Sequence, residues 1–253
     1  MSAKIAGIEA IRDKALEFNV RLHALKHESA PHEAWYPYDT LSNFIHLDRV
    51  LTGSNRSLFD DIAGASVADI GAADGDSAFF LESLGADHVD IIDNPSTNYN
   101  GCRGMAIVRD ALASKAQITH VDLDEQFRLP RDRYSLVLLL GILYHLKNPF
   151  YVLEKLAKIS KYCLLSTRVT RYANDGVTEL KGIPVAYLVN PDEANGDATN
   201  FWVFSDAGLR RIISRTGWDV ADYATFGNLE RSDPATSEGD ERAFALLTSR
   251  YIT

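Results

Sequence analysis

The chain has 253 residues, 46% of them hydrophobic, enough for one large α/β domain or for a domain carrying a cap. Its 26 basic and 35 acidic residues leave a formal net charge of −9, a balance that repels a phosphate backbone unless a local basic patch compensates. No stretch has the length or apolarity of a membrane span, the N-terminus lacks the core of a secretion signal, and the two cysteines, Cys102 and Cys163, have no metal-like spacing, so a reduced cytoplasmic chain without a metal is expected.

Ala3 to Lys26 reads as an amphipathic helix, with Ile5, Ile8, Ile11, Ala15, Leu22 and Leu25 near helical spacing and Pro31 beyond its end. Trp35-Tyr-Pro-Tyr38 follows as an aromatic loop. Trp35 and Tyr38 either cover an acceptor pocket or pin the first helix to the core. Leu41 to Leu51 reads as a second helix and Ser57 to Ile62 as a short one that leads into the first strand.

Val67 to Gly75 reads as a buried strand ending in a turn of small residues, Gly71, Ala73 and Gly75, with Asp69 two positions ahead of Gly71. Asp76 to Leu84 continues as a helix closed by Gly85. A strand, a tight turn and a helix N-terminus make a cradle for a nucleotide-like ligand, although the spacing is not the G-x-G-x-x-G of dinucleotide sites. Val89 to Asp93 is a second apolar run ending in an acid. Asp93 at that tip can accept two hydrogen bonds from a ribose diol, or it is a solvated loop acid. Asn94 to Gly104 reads as a loop, Ala111 to Lys115 as part of a mixed helix, and Gln117 to Asp124 as a third strand with an acidic end. Asp122 and Asp124 are binding acids there, or loop acids and caps.

Leu136 to Leu140 is apolar without alternation, as a strand covered on both faces should be, and Gly141 breaks it. Tyr144 and His145 follow at its carboxyl end, where open parallel sheets meet their ligands. His145 titrates near neutrality and is the natural candidate for a base; its alternative role is to hydrogen-bond the turn. Asn148-Pro149 starts a helix. Tyr162 to Arg168 is a fifth strand. Val169 to Val203 is a long excursion with little helical period, and its Tyr187, Asn200 and Trp202 are taken as half of an acceptor pocket. Ser205-Asp206 caps a last helix, Trp218 to Phe226 is a strand, Gly227 to Glu241 a polar mobile loop, and Arg242 to Thr248 the final strand.

The Asp69 to Gly75 turn together with Gly141-Ile-Leu-Tyr-His-Leu-Lys-Asn-Pro-Phe150 resembles class I S-adenosylmethionine-dependent methyltransferases, in particular the branch that contains the wobble-uridine tRNA 5-carboxymethoxyuridine-forming enzyme and its small-molecule relatives. The likeness runs from about Arg49 to Trp218. It implies an α/β fold: a doubly wound, seven-stranded, mostly parallel Rossmann-like sheet with an antiparallel last strand and an N-terminal helical cap. Residues 1–60 would form the cap and aromatic loop, and residues 61–253 the donor-binding domain with an insertion at 169–204.

The resemblance also implies roles. Asp69, Gly71, Ala73, Gly75, Asp93, Asp122, Leu123 and Gly141 would hold S-adenosyl-L-methionine, with Asp93 on the ribose, Asp122 on the adenine amino group and the Leu123 N–H on the ring. Tyr144 and His145 would face the reacting groups, and Trp35, Tyr38, Tyr187, Asn200 and Trp202 the acceptor. In the tRNA branch the matching tyrosine helps recognise a carboxylated donor, which also needs a cation. The basic Lys-Gly-Pro segment of that branch is replaced here by Ala34-Trp-Tyr-Pro-Tyr-Asp39, without lysine, which favours the ordinary donor. Methyl transfer to a small molecule is therefore expected, with tRNA disfavoured by the acidic charge and a silent donor-binding module as a further alternative. Nothing in the sequence specifies an oligomeric state.

Overall fold

A computed structural model describes residues 10–252 of the chain. Six α-helices and nine strands are described: α1 (Ile11–Ser29), α2 (Asn43–Val50), β1 (Ser66–Ile70), α3 (Asp76–Ser83), β2 (His88–Asp93), α4 (Arg103–Ala111), β3 (Gln117–His120), β4 (Tyr134–Leu140), α5 (Pro149–Ala157), β5 (Ser160–Thr170), β6 (Ala186–Leu188), β7 (Trp202–Ser205), α6 (Asp206–Arg215), β8 (Trp218–Gly227) and β9 (Glu241–Ser249). Local chemistry sets several of the ends. The Asn148 side chain accepts from Tyr151 N ahead of Pro149 at the start of α5, and Ser205 accepts from Gly208 N at the start of α6.

β1 to β5 are parallel, in the order β3-β2-β1-β4-β5. β9 lies antiparallel on β5 and pairs in turn with β8. Side chains alternate between two cores. Val67, Leu136, Leu138, Leu164, Phe244 and Leu246 pack against α1 to α4, while Ala68, Val137, Leu139, Leu165, Ala245 and Leu247 pack against α5 and α6. Burial on both faces is the physical reason that Leu136 to Leu140 of β4 reads as a continuous apolar run.

Three expectations change, and one falls partly outside the described residues. The first helix is described only from Ile11, so Ile5 and Ile8 lie outside the described residues. The helix before β3 is Arg103–Ala111, not Ala111 to Lys115. The loop-like Gly104 is its device for close approach: a Cβ there would stand 2.2 Å from Asp74 Oδ1. The segment Gly227 to Glu241 is organised around Asp233, whose carboxylate accepts from Ala235 N, Thr236 N and Thr236 Oγ1. Finally, the excursion after β5 contains a hairpin, so the sheet has nine strands among the described residues, two more than the resemblance implies.

The hairpin's position follows from register. β4 occupies one edge of β5 as far as Ser166, and β9 occupies the other edge as far as Val169. β7 pairs with Val169 and Thr170, and therefore takes the edge that β4 has vacated. The insertion thus continues the sheet past the end of β4 and stands over the turn that carries Tyr144 and His145.

Candidate functional site

β1 pairs with β2 on one side and β4 on the other, so the connections leaving the carboxyl ends of β1 and β4 diverge and open a crevice there. Gly71, at φ +72°, turns the chain out of β1; a Cβ at this position would meet the Ile142 side chain at 2.6 Å, so the two crevice walls touch because the residue is glycine. Ala73 also adopts a left-handed φ of 54°, and its N–H donates to Asp93 Oδ2 at 2.8 Å. Asn98 Nδ2 joins the same oxygen at 3.1 Å and reaches Ala73 O at 3.0 Å, while Asn94 N donates to Oδ1 at 2.7 Å. Burial pushes the Asp93 carboxyl above the ordinary range against the pull of these donors. Asp69 sits deeper, accepting from Ala78 N in α3 at 3.1 Å. Gly75 is the N-cap of α3 and Gly141 lies 3.6 Å, at its would-be Cβ, from Tyr144 Oη.

A buried ion cluster ties α1 to the glycine turn. Lys26 Nζ donates to Asp74 Oδ2 at 3.1 Å and to Asp76 Oδ2 at 2.8 Å. Asp74 also accepts from Tyr36 N at 3.0 Å and Asn100 Nδ2 at 2.8 Å. Trp35 lies against Lys26, 5.2 Å from Nζ to the ring centre, and packs on the core beneath α1. Trp35 therefore has the pinning contacts. Tyr38 is exposed and meets the edge of the Tyr36 ring at 5.5 Å.

The end of β3 divides two acids. Asp122 is exposed and accepts from Asp124 N at 2.9 Å; Leu123 is buried. Asp124 accepts from Lys147 N at 2.8 Å and Asn148 N at 3.1 Å, and so fastens the entry to α5. Each of the two accepts through Oδ1 alone among the described residues, but only Asp122 is free of the α5 entry.

Beyond β4, Tyr144 Oη accepts from Arg242 Nη1 at 3.2 Å. Arg242 was not among the sequence-derived candidates. It belongs to the first residues of β9, and because β9 is antiparallel these residues lie beside the carboxyl end of β5. A charge opening an otherwise apolar strand was the available signal. Tyr36, also missed, has its hydroxyl pushed up to about 12 by burial, with Tyr144 and Tyr38 adding to the effect and Arg242 opposing it.

The insertion is laced onto this turn. Phe201 N donates to Tyr144 O at 2.8 Å, Trp202 Nε1 to Lys147 O at 3.3 Å, and His145 Nδ1 lies 2.9 Å from Thr199 Oγ1. Trp202 is thus brought to the β4–α5 turn. Asn200 is buried, donates to Ala194 O at 2.9 Å and leaves its Oδ1 without a protein partner. Tyr187 donates to the Glu193 carboxylate at 2.8 Å inside the insertion and packs with Val189 and Val203. A cavity of about 300 Å³ lies beside the end of β5, where Arg171 pairs with Glu241 and Arg210 with Asp206. No cluster of His, Cys, Asp and Glu suited to a metal occurs among the described residues. None of the described helices is long and apolar enough to cross a membrane.

No protein-family model matches this sequence, and no curated protein sequence matches it. Solved structures do. The N-terminal domain of EvdMO1 with SAH bound is 17% identical, with a TM-score of 0.55 over 92% of this chain and 96% of that one. An S-adenosylmethionine-dependent methyltransferase from Mesorhizobium loti is 13% identical, with a TM-score of 0.52 over 78% of this chain and 98% of that one. TehB from Haemophilus influenzae is 15% identical, with a TM-score of 0.52 over 76% of this chain and 60% of that one. At these identities the likeness establishes the fold: an α/β Rossmann-like methyltransferase sheet, mostly parallel, with N-terminal helices.

Proposed function

We propose that the chain is an S-adenosylmethionine-dependent methyltransferase acting on a small-molecule nucleophile. The observation that carries this reading is the Asp93 carboxylate, fixed at the tip of β2 by Ala73 N at 2.8 Å and half-exposed beside the glycine turn. Oδ1 takes only Asn94 N among the described residues, so it keeps a lone pair for a ribose hydroxyl. The absent Cβ of Gly71 and the acids Asp93 and Asp122 suit a cationic adenosyl ligand, with Asp69 holding the start of α3 beneath them, and a structural neighbour of the same fold holds SAH. When bound, that donor supplies a methyl group already activated by the sulfonium charge. The chain then has to align an acceptor with it and exclude water, which is the task assigned to Tyr144, His145 and the insertion at residues 169–204 over the domain of residues 61–253, with residues 1–60 as the cap.

Calorimetry with S-adenosylmethionine, its carboxylated analogue and NAD tests the assignment. S-adenosylmethionine is expected to bind and NAD not to. Asp93→Ala should weaken the donor by about 1.5–3 kcal/mol, roughly 10- to 150-fold in Kd. An unchanged Kd removes Asp93 from the site.

One observation favours a second reading, carboxymethyl transfer. The cation missing from Ala34 to Asp39 is supplied by Arg242, 3.2 Å from Tyr144 Oη. On this reading Arg242→Gln weakens the carboxylated analogue at least tenfold more than S-adenosylmethionine. Equal losses for both ligands speak for the ordinary donor. A tRNA acceptor would instead bind with a steep salt dependence, and a silent module would bind donor without methylating anything.

A further inference from the structure

We propose that Thr199 and Asp197 of the insertion orient His145 as a general base acting through Nε2, and that the acceptor is a hydroxyl compound; the inference rests on the methyl-transfer reading above. His145 Nδ1 lies 3.2 Å from Thr199 O and 2.9 Å from Thr199 Oγ1. A carbonyl oxygen only accepts. The Thr199 hydroxyl spends its own proton on Asp197 Oδ1, at 2.6 Å, and so also presents a lone pair to the ring. Both contacts require Nδ1 to carry hydrogen. The neutral ring then has its lone pair on Nε2, which has no hydrogen-bond partner among the described residues.

This is the division of labour that orients a catalytic imidazole elsewhere: one nitrogen tethered through a carboxylate, the other free to take a proton. Here a threonine relays the carboxylate. The charged and titratable groups facing the ring are Asp197 from the insertion, Arg242 from β9 and Tyr144 from the same turn, its ring 4.3 Å away. Burial lowers the affinity of His145 for a proton and Arg242 adds to this, outweighing Asp197 and Thr199, so the imidazole is neutral at pH 7 and able to act as a base. Asp197 remains charged: burial works against it, but the Thr199 hydroxyl and N–H outweigh the burial.

The acceptor class follows from the same groups. Arg242 is fixed between Tyr144 and Asp240, and its charge at the turn favours an oxygen becoming anionic over an incoming ammonium. Nε2 takes the hydroxyl proton while the oxygen keeps the O–H electron pair and bonds to the methyl carbon, the sulfur retaining the pair of the broken C–S bond. The resulting imidazolium, steadied by Asp197 through Thr199, returns its proton to solvent.

Two measurements on the full-length protein decide it. Long-range ¹⁵N–¹H NMR reads the His145 tautomer without any acceptor: Nδ1–H is expected in the wild type, with a shift toward Nε2–H in Thr199→Val and recovery in Thr199→Ser. An Nε2–H ring in the wild type overturns the proposal, whatever the protein catalyses. Transfer from methyl-labelled S-adenosylmethionine to a panel of phenols, sugars and the matching amines reads the chemistry. Hydroxyl acceptors should be methylated. His145→Gln should lower kcat about 10²- to 10⁴-fold at unchanged donor Kd, and Thr199→Val should displace the acid limb of the pH–rate profile. Full activity in His145→Gln, or methylation of amines alone, overturns the proposal and leaves methyl transfer standing. Failure to bind the donor at all removes methyl transfer and this proposal with it.

Discussion

Lys26→Met should destabilise the fold by about 3–5 kcal/mol, a large share of the stability of a single domain. The side chain is buried, and its ammonium is the cation shared by Asp74 and Asp76 at 3.1 and 2.8 Å. Methionine keeps most of the volume, and with it the packing under Trp35, but leaves two buried carboxylates facing each other. Burial raises the Asp76 carboxyl above the ordinary range, and Lys26 is the chief influence pulling it back, so in the variant this acid is driven toward its neutral form. The defect should therefore shrink as the pH is lowered from 7 to 5. Urea unfolding of both proteins across that range measures it. A loss below about 1 kcal/mol at pH 7 would mean that water screens the cluster as it does a surface pair. Because Tyr36 N and Asn100 hold the same Asp74, a second consequence is a displaced glycine turn and weaker donor binding in whatever fraction remains folded.

Asp69→Asn should make the chain more stable than the wild type at neutral pH and no more stable at pH 4. Burial beneath the crevice pushes the Asp69 carboxyl from the ordinary 3.8 up to about 7, with Asp93 and Asp76 adding to the effect against the hydrogen bond from Ala78 N. The sign follows from proton counting. Between pH 4 and 7 the folded chain retains a proton that the unfolded chain has released, so this group's contribution is fully present below the unfolded value and is lost as the pH rises through the folded one. One pKa unit corresponds to about 1.4 kcal/mol, so the gap between variant and wild type should open to at most about 4 kcal/mol by pH 8. Asparagine can still accept from Ala78 N through its amide oxygen, so the helix start is retained. Parallel stability–pH curves for the two proteins would show that Asp69 ionises freely inside the fold.

Much of this architecture was legible in the residues themselves. The apolar run without alternation, Leu136 to Leu140, marked β4 as a strand covered on both faces, and the small-residue turn after Ile70 marked the end of β1. Asn148-Pro149 and Ser205-Asp206 announced helix starts through their own side chains. The glycine turn and the Tyr144-His145 pair were found because each is contiguous, and the chemistry of a tight turn or a strand end is decided within a few residues. The helix α4 was misplaced because Gly104 has the look of a loop residue until its neighbour Asp74 is known.

The sequence by itself determined most of the elements and the crevice at the end of β1, since propensity, periodicity and capping act over short distances along the chain. Only the tertiary structure decided which distant charges share a site. Lys26 meets Asp74 across 48 positions, Thr199 meets His145 across 54, and Arg242 meets Tyr144 across 98. The last two meetings depend on β7 taking the edge that β4 leaves free and on β9 running antiparallel to β5, and strand order and register are settled by packing the whole sheet between its two cores.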